Sequence, residues 1–275
     1  MKYETETYEV LAIEYAKTER PSREFYLLSP DPHEGPRPIT YYIWVIRNEN
    51  RTIVVDLGFD RRSGEARGRK LLREPIEALE KVGVKQEDVD TVIITHMHFD
   101  HAGHGPAFPK ATFIVQEREI EFCTGKAMRY PPVRRPFDVE HVTDMIRANF
   151  QSRVKFVDGD QTVFPGISVH LIGGHSGGLQ AVTVNTKVGP VVIASDVAHF
   201  YDLLTENIPF TGVVSLPEMC AGWERIFELG AAPGQVIPGH DPLVSELYPK
   251  YPGDDYSVIL SEQPLAETPW QKWKS

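Results

Sequence analysis

Four histidines and an aspartate fall within eleven residues in "ITHMHFDHAGH", positions 94–104, of a chain with ten histidines in 275 residues. The run continues from "TVII", whose β-branched residues read as the end of a buried strand. Side chains alternate along a strand, so His96, His98 and Asp100 tend to project the same way as the chain leaves it. His101 follows directly, and Gly103 allows a sharp turn that folds it back toward the others. Imidazole nitrogens and a carboxylate converging on one point suit a borderline ion such as zinc, or iron, manganese or cobalt. Near neutral pH the unprotonated ligand form costs histidine little. The alternative, a solvated loop that binds nothing, fits the spacing poorly, because a strand-to-loop cluster is far more specific than isolated histidines.

The elements that must position this cluster alternate between strand and helix. Strands are expected over 51–59, 90–96, 111–117, 167–174, 181–186, 189–196 and 234–241, each rich in β-branched residues and bounded by turn signals. Helices are expected over 74–83, with Pro75 in the first turn and Gly83 as its stop, and over 222–230, ending at Gly230. A third is expected over 139–150, with Val139, Val142, Ile146 and Phe150 at helical spacing. Without a Gly/Ser linker or internal repeat, this reads as a single domain over 1–275 with helices outside sheets. Residues 18–38, with five prolines, read as an irregular loop. Residues 118–153 read as a charged insertion or lid. The segment from 243 reads as a tail whose Trp270 and Trp273 pack on the body or on a second subunit.

"HMHFDH" resembles the His-x-His-x-Asp-His signature of the metallo-β-lactamase superfamily, and the superfamily's other landmarks follow in order. "VVDLG" (54–58) is similar to the early strand whose aspartate, here Asp56, orients the metal loop. "GGHSGG" (173–178) matches the next ligand at His175, "IASDVAH" (193–199) matches Asp196, and "IPGHD" (237–241) matches His240. The resemblance runs from about residue 40 to 242 and implies an α/β fold, the four-layer αβ/βα sandwich. It also implies two divalent ions, with zinc favoured and iron, manganese or cobalt open. His96, His98 and His175 would hold one, Asp100, His101 and His240 the other, and Asp196 would bridge them. Two such ions generate hydroxide at neutral pH, and Asp56 would fix a ligating imidazole by accepting its ring N–H.

Within the superfamily, "THMHFDHAG" followed by "FIVQEREIE" resembles the N-acyl homoserine lactone lactonases most. That resemblance implies a quorum-quenching hydrolase in which hydroxide attacks a lactone carbonyl and Asp100 carries the proton to the leaving oxygen. The lactonases usually carry a tyrosine three residues after the bridging aspartate. This chain has His199 there and Tyr201 two further on, so either is a candidate hydrogen-bond donor to substrate. Leu179 replaces a non-ligand histidine of the group's "HSPGHQ". These departures leave a different lactone or cyclic ester open, beside a thioesterase on the same site. A mononuclear iron sulfur dioxygenase and a non-catalytic metal protein are further alternatives.

Substrate selection is expected in the irregular segments. Phe25, Tyr26, Leu27, Met128, Tyr130 and Phe137 could line an apolar pocket, and Arg129, Arg134 and Arg135 could meet an anion. His33, His141 and His170 are isolated and read as surface or structural, His104 as near the site, and Cys123 and Cys220 as buried packing. A formal net charge of −10 argues against nucleic acid as partner. No apolar run is long enough to span a membrane. The first residues lack the apolar core of a signal peptide, and two cysteines do not make a disulfide framework. The expectation is therefore a cytoplasmic enzyme acting on a small-molecule lactone, and the resemblance to the lactonases implies a homodimer.

Overall fold

The β-branched runs build two sheets in the computed structural model, which describes residues 6–27, 35–230 and 235–269. The chain opens with β1 (Glu9–Pro21), β2 (Pro36–Arg47) and β3 (Thr52–Val55), then the helices α1 (Arg61–Ala66) and α2 (Pro75–Lys81). Next come β4 (Thr91–Ile93), β5 (Thr112–Gln116), α3 (Glu117–Thr124), α4 (Pro131–Arg134) and α5 (Val139–Phe150). The strands β6 (Val154–Val157), β7 (Gln161–Phe164), β8 (Ile167–Leu171), β9 (Gln180–Thr186) and β10 (Gly189–Ser195) follow. Last are α6 (Tyr201–Thr205), α7 (Leu216–Leu229), β11 (Val236–Pro238), α8 (Leu243–Leu247), β12 (Lys250–Tyr251) and β13 (Asp254–Ile259).

One sheet runs β12-β13-β1-β2-β3-β4-β5-β6, and the other runs β11-β10-β9-β8-β7. In the first, β3 to β6 are parallel neighbours, and in the second β10 and β11 are parallel. Parallel strands need crossovers and leave both faces covered, so their carboxyl ends open together at one edge. The buried residues of both sheets form one continuous cluster that includes Trp44, Ile93, Phe113, Val182 and Ile193. Helix α2 packs on β1 and α7 packs on β10, which gives the αβ/βα arrangement.

Three regions differ from the sequence expectation. The described ends of residues 18–38 belong to a long hairpin: β1 continues to Pro21, β2 begins at Pro36, and the two pair through Pro21↔Pro36. Pro36 and Pro38 are tolerated in β2 because β3 reaches only Trp44 to Arg47, so no second strand awaits their missing N–H groups. The segment after 243 belongs to the sheet, since β13 pairs with β1 through Leu11↔Ile259. Trp270, Trp273 and His33 lie outside the described residues. The 118–153 segment is largely helical, and α5 turns His141, Met145 and Ala148 inward. Val139 and Phe150, expected on its inner face, are 72% and 88% exposed. Cys123 is buried as expected, whereas Cys220 is exposed. Among the described residues no helix is long and apolar enough to cross a membrane.

Asp138 pins the helical insertion to the body. Its carboxylate caps α5 by accepting the Glu140 N–H at 3.0 Å and meets Arg62 at 3.2 Å and Arg67 at 3.5 Å. Burial alone would raise its pKa, yet the Glu140 N–H, Ser63, His141 and Arg62 pull it from 3.8 down to about 2. A depressed carboxylate contributes stability that is present above its unfolded pKa and is lost as pH falls through the folded one. Asp138→Ala is therefore expected to lower the unfolding free energy by about 1–3 kcal/mol at pH 7. In urea titrations the gap between wild type and variant should narrow between pH 4 and pH 2. A gap that stays constant over that range would contradict the assignment.

Candidate metal centre

Asp56 stands where β3 ends, and the Val55↔Ile93 pairing sets it beside the residues that follow β4. Its backbone is left-handed, φ 58°, a strained conformation for a side chain of this kind. In this posture one carboxylate oxygen accepts the Thr95 N–H at 2.7 Å. The other accepts the Thr95 hydroxyl and the His101 ring N–H, both at 2.7 Å. His101 thereby turns its Nε2 inward, the orienting role expected of Asp56. Gly103 acts differently from the expectation, because the left-handed residue is its neighbour His104, φ 57°. A Cβ on Gly103 would lie 2.4 Å from the Gly58 carbonyl, so glycine is needed for close approach of two backbones.

The second sheet brings the remaining residues to the same edge. Asp196 follows β10, His240 follows β11, and His175 lies in the loop between β8 and β9. The His240 Nδ1 donates to the Thr40 carbonyl at 2.9 Å, and the His175 Nδ1 donates to the Gly212 carbonyl. Each histidine therefore presents its Nε2 to a common centre. Ligand atoms lie within 4.8 Å of one another in His96/His98/His175, in His96/His101/Asp196 and in Asp100/His101/His240. The Asp196 Oδ2 is 3.2 Å from the His175 Nε2 and 4.0 Å from the His96 Nε2. Its Oδ1 is 3.4 Å from the His101 Nε2 and 3.2 Å from the His240 Nε2. Asp196 thus stands between two groups of donors, and all seven expected ligands meet at one place.

The chemistry of this donor set fits metal ions. The Nε2 atoms of His96, His98, His101 and His175 are buried without a hydrogen-bond partner, which costs about 1–3 kcal/mol per group unless something else satisfies them. Burial, then the neighbouring imidazoles, holds His96 and His98 well below the usual histidine range. At His101 burial acts in the same direction, but Asp196, Asp56 and Asp100 outweigh it and raise the pKa. Asp196 is held well below the carboxylate range by His240, His101 and His199 despite its burial. A divalent cation binds unprotonated imidazoles around an ionised carboxylate, so it would displace the proton that the carboxylates favour on His101 and His240.

A family model described as the metallo-beta-lactamase superfamily matches residues 36–251. The chain belongs to that superfamily. An N-acyl homoserine lactonase of Bacillus cereus is 32% identical over 138 residues. That match spans half of this chain and half of the relative. The crystal structure of a quorum-quenching N-acyl homoserine lactone lactonase superposes with a TM-score of 0.72 at 21% identity, covering 87% of this chain and 95% of that one. AidC, described as a dizinc quorum-quenching lactonase in complex with a product, superposes at 0.65 with 16% identity, covering 89% and 88%. At such identities the superpositions establish the superfamily's fold.

Other expected residues divide sharply. The His199 Nε2 lies 3.0 Å from the Asp196 Oδ2, and its ring packs on Phe210 at 3.9 Å. Burial pushes His199 down to about 4. Tyr201 is buried elsewhere: its N–H donates to Asp241, and its hydroxyl environment is set by Tyr248, Asp241 and Tyr42. No hydrogen bond or ring contact joins it to the histidines among the described residues. His104 is in none of the candidate metal groups. His170 is satisfied by Asp160 and Thr183, each at 3.0 Å, and Leu179 is fully buried. Phe137 reaches the centre, its ring 4.6 Å from His98 with Phe122 behind it, whereas Tyr130 is exposed.

Two parts of this metallo-β-lactamase site escaped sequence reasoning. Phe210 walls His175 and His199 and carries no motif. Glu119 lies within "FIVQEREIE" with no spacing that marks its role, yet it is fully buried and ties together the loops that carry His96, His98 and His175. Its carboxylate accepts the Met97 N–H at 2.8 Å, the Gly178 N–H at 2.7 Å and the Ser176 hydroxyl. A Cβ on Gly178 would fall 2.3 Å from the Glu119 nitrogen, so the loops can approach this closely only with glycine there. Met97 separates His96 from His98, and Ser176 follows His175, so Glu119 holds one whole ligand group in register. Glu119→Gln is expected to weaken the ion at that group by about 10–100-fold and to leave the other group near wild type. Chelator competition followed by elemental analysis measures both; unchanged retention would show that the clamp is dispensable.

Proposed function

We propose that the protein is a dinuclear-metal hydrolase that opens a lactone ring, with N-acyl homoserine lactones as its substrates. The observation that carries this reading is Asp196 set between His96/His98/His175 and Asp100/His101/His240. Two divalent ions, zinc as the proposed pair, held by those groups with Asp196 shared would supply hydroxide at neutral pH and polarise an ester carbonyl. Hydroxide addition to the carbonyl carbon breaks the ring C–O bond, and the departing oxygen needs a proton. Asp100 is the carboxylate suited to carry it. Its Oδ1 is 3.9 Å from the His101 Nε2 and its Oδ2 is 3.7 Å from the His240 Nε2, and Tyr15 steadies its backbone carbonyl at 3.0 Å. Unlike the fully buried ligands, its side chain keeps 12% exposure, so it can meet a substrate.

Phe137 and Phe210 supply apolar walls beside the histidines, which suits an acyl chain. The lactonase relatives named above add weight to this substrate class. A different lactone is the second reading, favoured by His199 standing where the lactonases carry tyrosine. We place the enzyme in the cytoplasm, in keeping with its two unpaired cysteines, and read its 275 residues as one catalytic domain.

Ring opening yields a hydroxy acid that releases a proton at pH 7, so turnover is read as acidification in weak buffer. Zinc-loaded protein is expected to acidify solutions of acyl homoserine lactones, and Asp100→Asn to lower kcat by about 10²–10⁴-fold. Tyr201→Phe should leave kcat within about 3-fold, since loss of a direct transition-state hydrogen bond costs far more. Turnover confined to simple or aromatic lactones would retain the chemistry and discard the signal substrate. Turnover of thioesters alone, or oxygen uptake with one iron per chain, would contradict the lactonase reading.

A further inference from the structure

We propose that His199 is itself a metal ligand, adding a fourth imidazole to the ion held by His96, His98 and His175. The inference rests on the two-ion reading above and goes beyond its ligand set. Ligand atoms of His175, Asp196 and His199 lie within 4.8 Å of one another, the same relation that unites the other three groups. Metal–ligand bonds of about 2.0–2.2 Å at ordinary coordination angles set neighbouring donors roughly 2.8–3.6 Å apart. The Asp196 Oδ2 stands 3.0 Å from the His199 Nε2 and 3.2 Å from the His175 Nε2, so both separations match edges of one coordination polyhedron. His199 also presents Nε2 to the centre, as His101, His175 and His240 do.

The ring is held by packing and by its backbone, while its Nδ1, unlike those of His101, His175 and His240, has no hydrogen-bond partner. Phe210 lies against it at 3.9 Å, and the rings of His240 and His175 meet it edge to face at 5.0 and 5.4 Å. The His199 carbonyl accepts the His240 N–H at 3.0 Å, and the Ala198 carbonyl accepts the Gly239 N–H at 3.0 Å. The backbone contact that sets His240 therefore sets His199 as well. A further neutral nitrogen donor leaves the charge of the site unchanged while enriching it in imidazole. That shifts preference toward zinc, iron and cobalt and away from manganese and magnesium.

The test loads wild type, His199→Gln and His199→Tyr with cobalt(II), then counts bound ions and records the paramagnetically shifted imidazole N–H signals and the d–d absorption. The expected result is a shifted N–H signal in wild type that both variants lose, with a changed absorption spectrum. Chelator competition should also weaken by more than about 100-fold, beyond the usual cost of losing a supporting hydrogen bond. Identical signals and absorption in all three proteins would overturn the inference and leave His199 as a hydrogen-bond partner of Asp196. The ion count is read separately. One ion per chain with the His199 signal present would keep this inference and overturn the two-ion reading; one ion without the signal would overturn both.

Discussion

Buried imidazole nitrogens aimed at one carboxylate are the constraint on which the rest of this molecule depends. The Nε2 atoms of His96, His98, His101 and His175 have no hydrogen-bond partner, and Asp196 between them is almost fully enclosed. Apolar packing cannot compensate such a group, because each unpaired polar atom keeps its desolvation cost. Two cations held on either side of Asp196 would satisfy all of them. Several of the opposite ring nitrogens are spoken for: Asp56 takes that of His101, the Gly212 carbonyl that of His175, the Thr40 carbonyl that of His240, and the Thr95 hydroxyl lies 3.1 Å from that of His96. The ligands are thus oriented by elements drawn from both sheets, which makes the site a consequence of how the sheets meet.

The same dependence explains the strained and crowded positions. Asp56 and Ser195 both adopt left-handed backbone, at φ 58° and 49°, and they flank the two strand ends that deliver ligands. The Thr95 hydroxyl joins them, 2.7 Å from Asp56 and 2.9 Å from Ser195. Glu119 adds a second tie, from α3 to the loops carrying His96, His98 and His175. Strain of this sort persists only when the surroundings over-determine it. Here several short hydrogen bonds and two parallel strand pairs do so.

The residues that meet at the candidate metal centre were legible in the sequence through motifs that resemble the superfamily's, and these motifs follow strand ends, where residue order and spatial order coincide. Asp56 was legible for the same reason. The long β1–β2 hairpin was not, since β1 is buried on both faces from Val10 to Ala16 and lacks the alternation that marks a half-buried strand. Nor was the role of β13: its pairing with β1 joins residues at opposite ends of the chain, and no local pattern encodes that. On α5 the apolar residues Val139 and Phe150 misled, because Asp138 and its arginine partners fix the helix with His141 and Met145 inward. Phe210 reached the site from a loop without periodicity. His199 and Tyr201 looked equivalent by type, and only the turn after Asp196 separates one at the centre from one in the core.

The account stands or falls on whether the cluster holds two ions astride Asp196. Anomalous scattering from crystals of the reconstituted protein, measured at the absorption edge of the loaded metal, tests this most directly. Two peaks about 3.5–4 Å apart, one beside His96, His98 and His175 and one beside Asp100, His101 and His240, are the predicted result. A single peak at full occupancy, or ions bound away from Asp196, would contradict it.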